Sequence, residues 1–186
     1  RFEDARRWLD QAFAASSELS AIDLANARWL YDLYVNAGKL AELAMRFNDI
    51  ADARTWLERS LAIIEALATT NPNNVGWQCD LARSYNALGL VAEEAGKLDE
   101  ARRWFKQTLA VCEALATAAP TDPERRNTLS VAYERLGDMA MQTERLDDAR
   151  RCFERSIVER EALVAADPTR AKWQADLARS CNHLGS

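Results

Sequence analysis

The chain has 186 residues, 24 Lys+Arg against 29 Asp+Glu and a formal charge of −5, with 48% hydrophobic residues, six Gly and four Pro. This is the composition of a folded chain, not of a disordered or collagen-like one. The acidic balance argues against a general binder of nucleic acid or of an anionic membrane surface.

In chain order, the first predicted helix covers 2–18 and contains Asp4-Ala5-Arg6-Arg7-Trp8. No charged-then-apolar leader precedes it, which reads as a piece of a longer protein. A second helix is predicted over 25–46 and a third over 49–69, the latter opening on Asp52-Ala53-Arg54-Thr55-Trp56. Asn71-Pro72 breaks the chain before a fourth helix, 75–95, because proline cannot continue a helix but suits its first turn. Gly96-Lys97 marks a short turn into a fifth, 98–118, which carries Glu100-Ala101-Arg102-Arg103-Trp104. Ala119-Pro120 and Asp122-Pro123 precede a sixth, 123–142, and Thr143-Glu144-Arg145 turns into a seventh, 145–166, with Asp148-Ala149-Arg150-Arg151-Cys152. Asp167-Pro168 precedes the eighth, 170–184. Apolar residues recur at helical spacing throughout, as in Leu98, Ala101, Phe105, Leu109 and Cys112, and no strand pattern occurs. The acidic residue of each Asp/Glu-Ala-Arg block sits near a helix start, where the N-terminal dipole favours it.

The blocks centred on Ala5, Ala53, Ala101 and Ala149 lie 48 residues apart. Trp77 to Asn86 returns as Trp173 to Asn182 with eight of ten residues identical. Pro72, Pro120 and Pro168 share one phase of this period, and Gly89, Gly137 and Gly185 another. A fixed period without insertion implies stacked supersecondary units, a solenoid of helix pairs. The six Trp fall into two slots, Trp8, Trp56 and Trp104 in one and Trp29, Trp77 and Trp173 in the other, with Cys152 and Arg125 as the exceptions. They are read as packing residues between repeats rather than as an aromatic ladder for a ligand. The glycine phase, with Ala41 in the first unit, is read as close helix contacts.

These residues resemble the tetratricopeptide repeat. Tyr85-x-x-Leu88-Gly89-x-x-Ala92, Gly96, then Ala101-x-x-x-Phe105-x-x-Thr108 is similar to its signature, and Tyr133, Leu136, Gly137, Ala140, Ala149, Phe153 and Ser156 repeat it. The first copy is degenerate, with Ala37, Leu40, Ala41 and Leu57 at the signature positions. The period of 48 departs from the family's usual 34, and the 14 extra residues add about two turns to each helix of a pair. The long variant is similar to arrays in large bacterial multidomain proteins. The resemblance implies an all-α, right-handed α-solenoid of antiparallel helix pairs. It divides the chain into a second helix of a truncated repeat (1–20), full repeats at 21–70, 71–118 and 119–166, and a first helix of a further repeat (167–186).

Chemistry-bearing motifs are few. Cys79, Cys112, Cys152 and Cys181 show no CxxC pair and no His spacing, and are read as reduced thiols packed as small core residues of a cytoplasmic protein. The single histidine, His183, is read as a surface or interface residue, not a general base. Glu94-Ala95-Gly96-Lys97-Leu98 lacks the spacing and the Ser/Thr of a phosphate loop. Glu65, Glu113 and Glu161 share a phase but stand a repeat apart, too far to share a metal, and are expected to pair with neighbouring Arg or Lys. The expected protein is therefore neither an enzyme nor a holder of metal or cofactor.

Function is then expected on a surface. The resemblance implies a concave groove lined by the first helix of each pair, which receives a peptide or protein partner. By motif position its lining is Tyr31, Val35, Gly38, Glu42 and Met45, then Cys79, Arg83, Asn86, Leu90 and Glu93. Asn127, Val131, Glu134, Asp138 and Met141 follow, and Lys172, Arg179 and Asn182 complete it. Leu90 and Asp138 stand where chaperone-binding members place a clamp Asn, so no such clamp is expected. Arg83 and Arg179 with Glu134 and Asp138 between them suit a partner of mixed charge. A head-to-tail self-association through the end helices is the second expectation, and nucleic-acid binding is disfavoured.

Overall fold

The computed structural model describes residues 2–23 and 25–185 and, for Phe2, Glu3 and Gly185, the backbone only. It contains eight helices and, among the described residues, no strand: α1 (Phe2–Ile22), α2 (Ala27–Arg46), α3 (Ile50–Thr70), α4 (Val75–Glu94), α5 (Leu98–Ala118), α6 (Pro123–Gln142), α7 (Leu146–Ala166) and α8 (Ala171–Gly185). The predicted boundaries agree closely except that α1 continues to Ile22, matching the length of α3, α5 and α7, each 21 residues.

Local chemistry sets these boundaries. Asn26, Asn74 and Asp122 stand 48 residues apart and accept the backbone N–H of Trp29, of Trp77, and of Glu124 with Arg125, which satisfies orphan donors of the first turn. At the other ends Asn48, Gly96 and Glu144, again 48 apart, adopt left-handed φ of 58°, 71° and 55°. There the N–H groups of Asp49, Lys97 and Arg145 close six-residue bonds to the carbonyls of Ala44, Ala92 and Ala140 at 3.0, 2.8 and 2.8 Å. This is the Schellman stop, and after α2 and α6 it reverses the chain within a unit in three residues. The pairs α2–α3 and α6–α7 are thus antiparallel hairpins.

The chain forms two compact units, residues 1–97 and 98–186. In unit 1, Ala37, Leu40 and Ala41 of α2 pack with Trp56 of α3, and Leu9, Phe13 and Leu57 close over them. Phe13 meets the Trp56 ring edge-on at 4.9 Å, and the Arg59 guanidinium lies over the ring at 4.8 Å. In unit 2, Ala140, Ala149 and Phe153 form the corresponding cluster with Leu184. Gly137 is required there, because a Cβ at this position would lie 2.5 to 2.8 Å from the Phe153 ring. The second helices are tied by repeated ion pairs, Arg6 to Asp52 in unit 1 and Arg102 to Asp148 at 3.3 Å in unit 2.

Three expectations are corrected. The Trp slots are not uniformly interior: Trp56 and Trp173 are buried, whereas Trp8 is 62% exposed because no described helix covers that side of α1. The cysteines are not all core residues, since Cys112 is buried but Cys181 is exposed; no disulfide joins cysteines among the described residues. Glu65 and Glu113 do not pair with Arg or Lys in the observed contacts. They accept the hydroxyls of Tyr85 and Tyr133, 20 residues on, at 2.7 and 2.6 Å. No helix among the described residues is long and apolar enough to cross a membrane.

Candidate interaction surface

In unit 1 the expected groove residues lie on α2 and α4. Glu42, Met45 and Arg83 are exposed, and Tyr31, Val35, Gly38, Cys79, Asn86, Leu90 and Glu93 are half-buried. Some of them are organised by a residue outside the expected set. The Asp80 carboxylate is buried, accepts the Tyr31 hydroxyl at 2.9 Å and pairs with Arg83 Nη1 at 2.8 Å. This joins α2 to α4 and holds one nitrogen of the Arg83 guanidinium while its side chain stays 74% exposed. The bond to Asp80, followed by burial, raises the Tyr31 phenol above its ordinary value, so it remains a donor. Tyr34 lies beside it with ring centroids 5.5 Å apart. An exposed guanidinium held at one terminal nitrogen loses less freedom on binding than a free one, and its remaining N–H groups suit recognition of a carboxylate or phosphate.

In unit 2, Val131, Met141, Lys172, Arg179 and Asn182 are exposed, and Asn127 and Asp138 are half-buried. Arg179 repeats Arg83: it pairs with Asp176 at 3.2 Å and is 61% exposed. Asp138 is engaged with His183, whose Nδ1 lies 3.7 Å away and whose ring meets Phe153 edge-on at 5.3 Å. Glu134 is not an open groove residue. Its carboxylate pairs with Arg160 Nη2 at 2.6 Å and accepts the Ser180 hydroxyl at 2.6 Å, and its side chain is 13% exposed. Arg160 lies on α7 and is 3% exposed. A pair so far out of water is part of the framework, because leaving either charge alone is costly. The groove expected to be acidic at its middle therefore keeps its exposed Arg residues but not Glu134.

Asp80, Asp176 and Arg160 were absent from the expected set. Asp80 and Asp176 were visible in the repeated Asp-Leu-Ala-Arg block, three residues before each Arg. Arg160 was visible as the odd member of the series Ile64, Cys112, Arg160. Among the described residues no group of three or more His, Cys, Asp or Glu could hold a metal ion.

A comparison with curated proteins finds no match. Among solved structures, BtubC from P. vanneervenii is similar over 100% of this chain and 82% of its own, with TM-score 0.61 and 17% identity. A variant of the nearly identical TPR-like repeats of Podosopora anserina, described as a kinesin light chain, is similar over 100% of this chain and 79% of its own, with TM-score 0.64 and 19% identity. At such identity the likeness establishes the fold. Residues 32–114 match the tetratricopeptide repeat model. The chain thus has the fold of tetratricopeptide helix-pair arrays, and its residues 32–114 match that family's model.

Proposed function

We propose that the whole chain is a long-helix tetratricopeptide array with the 48-residue period, a non-enzymatic scaffold that binds a peptide or protein through the exposed faces of α2, α4, α6 and α8. The observation that carries this reading is the Arg83 guanidinium, exposed yet anchored on buried Asp80, and its counterpart Arg179 on Asp176. Exposed Glu42 and half-buried Glu93 lie near the C-terminal ends of α2 and α4, whereas Arg83 lies nearer the N-terminal end of α4. A partner of mixed charge is thereby given a direction, with electrostatics setting register more than affinity. The array belongs to a larger bacterial signalling or effector protein, works in the cytoplasm and takes no nucleic acid or membrane.

The test is selection of binders from a random-peptide library displayed against the 186-residue chain. Selected peptides share acidic residues, and Arg83→Glu weakens them at least about tenfold, the scale of a charge-assisted hydrogen bond. Peptides that bind the Arg83→Glu and Arg179→Glu variants with unchanged affinity would sink the reading. Glu134 is unsuitable as a charge-reversal probe because it is tied into the framework.

A second reading is head-to-tail self-association, and the repeated inter-repeat ion pairs Arg6–Asp52 and Arg102–Asp148 motivate it. The Arg6–Asp52 and Arg102–Asp148 ties would continue as Arg150 of one copy to Asp4 of the next. Sedimentation that shows only monomer across a concentration series removes this reading, and Trp8→Ser should abolish any association seen.

A further inference from the structure

The pair Arg160–Glu134 belongs to a set that has a counterpart in unit 1. Ser130, Glu134 and Arg160 stand 96 residues after Tyr34, Gly38 and Ile64. In unit 1 Ile64 is fully buried, and the Ser84 hydroxyl of α4 donates to the Asp80 carbonyl at 3.0 Å. In unit 2 the residue equivalent to Ser84 is Ser180 on α8, and it donates to Glu134 instead. The Arg160 guanidinium spans three helices. Nη2 donates to Glu134 of α6, Nη1 to the Asp176 carbonyl of α8, and Nε lies 3.5 Å from Ser130 Oγ, whose own hydrogen goes to the Asn127 carbonyl at 2.8 Å.

The apolar seam of α8 is thin at this place. Trp173 near one end of α8 is buried, and Leu184 near the other packs on the Ala140, Ala149 and Phe153 cluster. Between them Ser180 is fully buried and Asp176 gives its carbonyl to Arg160. A buried ion pair contributes little net stability compared with an apolar seam but admits one geometry, since any other leaves a charge or a hydroxyl unpaired.

We propose that Arg160 is a positioning residue for α8: with Glu134, Ser180 and the Asp176 carbonyl it fixes the helix in one register and orientation, and through it the exposed Arg179. This role holds whether or not the groove binds a partner. It makes the polar set the part of α8's attachment that selects one register between the apolar anchors Trp173 and Leu184, while α5–α7 keep their own packing.

Hydrogen exchange across the whole chain tests it. Arg160→Ile, the unit 1 residue, leaves Glu134 buried without its cation, and the α8 amides should exchange about a hundredfold faster while those of α5 and α6 change little. Arg160→Lys keeps the charge but loses the fork to the Asp176 carbonyl, and should fall between, about tenfold. The triple variant Ser130→Tyr, Glu134→Gly, Arg160→Ile carries the unit 1 set into unit 2 and should return α8 exchange to within about threefold of the parent, a readout that also serves if Arg160→Ile does not fold. Unchanged α8 exchange in Arg160→Ile, acceleration spread evenly over α5 and α6, or a triple variant with α8 still unprotected would each overturn the proposal.

Discussion

Unit 1 and unit 2 solve the same packing problems with different side chains at equivalent positions. Where unit 1 places Ala41 against a cluster that includes Leu57, unit 2 places Gly137 against Phe153. Where unit 1 buries Ile64, unit 2 buries the Arg160–Glu134 pair. Each exchange is compensated locally: a smaller residue on the first helix meets a larger one on the second, and a cation arrives with its anion. The repeat period therefore dictates backbone positions and leaves the chemistry of each seam to be balanced within the unit, as expected of close-packed interiors that respond to a single methylene or charge.

The most damaging way to break this equivalence is to move half of a solution. Ile64→Arg alone places a guanidinium in a fully buried seat, with glycine at position 38 in place of the Glu134 carboxylate. It should destabilise unit 1 by about 3 kcal/mol or more. Adding Gly38→Glu and Tyr34→Ser supplies the rest of the unit 2 set and should recover most of that loss in thermal unfolding. A single variant that loses less than about 1 kcal/mol would mean that the seat opens to water more readily than its burial indicates.

The second test concerns volume. Gly137→Ala gains about 1 kcal/mol of helix propensity but forces a methyl to within 2.5 Å of a buried Phe153 ring atom. Net destabilisation of about 2 kcal/mol is expected, and Phe153→Leu in the same chain should reduce it, because Ala with Leu is the unit 1 solution. Gly38→Ala, whose Cβ would meet only Ser60 Oγ at 4.0 Å, should instead be neutral or stabilising.

The helices were legible in the sequence because their stops are local. Asn71-Pro72, Asp122-Pro123, Gly96 and the Asp/Glu-Ala-Arg blocks act within one turn of where they stand. The signature Tyr and Gly positions were legible because they recur in phase with the 48-residue period. The buried pair was not, since Glu134 and Arg160 lie 26 residues apart on different helices and each alone reads as a solvated charge. Only the series Ile64, Cys112, Arg160 marks the seat as interior. Trp8 was misread for the converse reason: its slot is interior where a neighbouring helix covers it, and coverage is a property of the assembled neighbours. The partners of Glu65 and Glu113 are not legible within either helix alone, because each bond joins residues 20 apart on two successive helices.

The tyrosine contacts give a pH test common to both units. Burial, and then the bond to Glu65 or Glu113, raises the Tyr85 and Tyr133 phenols above the ordinary 10.0, so the folded chain holds these protons where the unfolded chain releases them. Their contribution is complete below pH 10 and declines as pH rises from there toward the raised values. Tyr85→Phe with Tyr133→Phe should lower stability by about 1 kcal/mol per site at neutral pH and flatten the alkaline decline. An equally steep decline in the double variant would assign it to other groups.

The smallest expected effect lies in the turns, where the units differ by one residue type at one conformation. Glu144 ends α6 at φ 55°, as Asn48 ends α2 at 58° and Gly96 ends α4 at 71°. A side chain with a Cβ is strained there by about 1 kcal/mol, asparagine somewhat less and glycine not at all. Glu144→Gly should therefore stabilise unit 2 by up to about 1 kcal/mol, offset in part by the greater freedom of glycine in the unfolded chain. Asn48→Gly should gain less, and Gly96→Ala should lose about 1 kcal/mol. The order of these three changes is the informative result. If Glu144→Gly is neutral, the carboxylate contributes something at the turn that offsets its strained backbone; if all three are neutral, the six-residue bond at each turn, 2.8 Å at Lys97 and Arg145, holds the left-handed residue in place whatever its side chain.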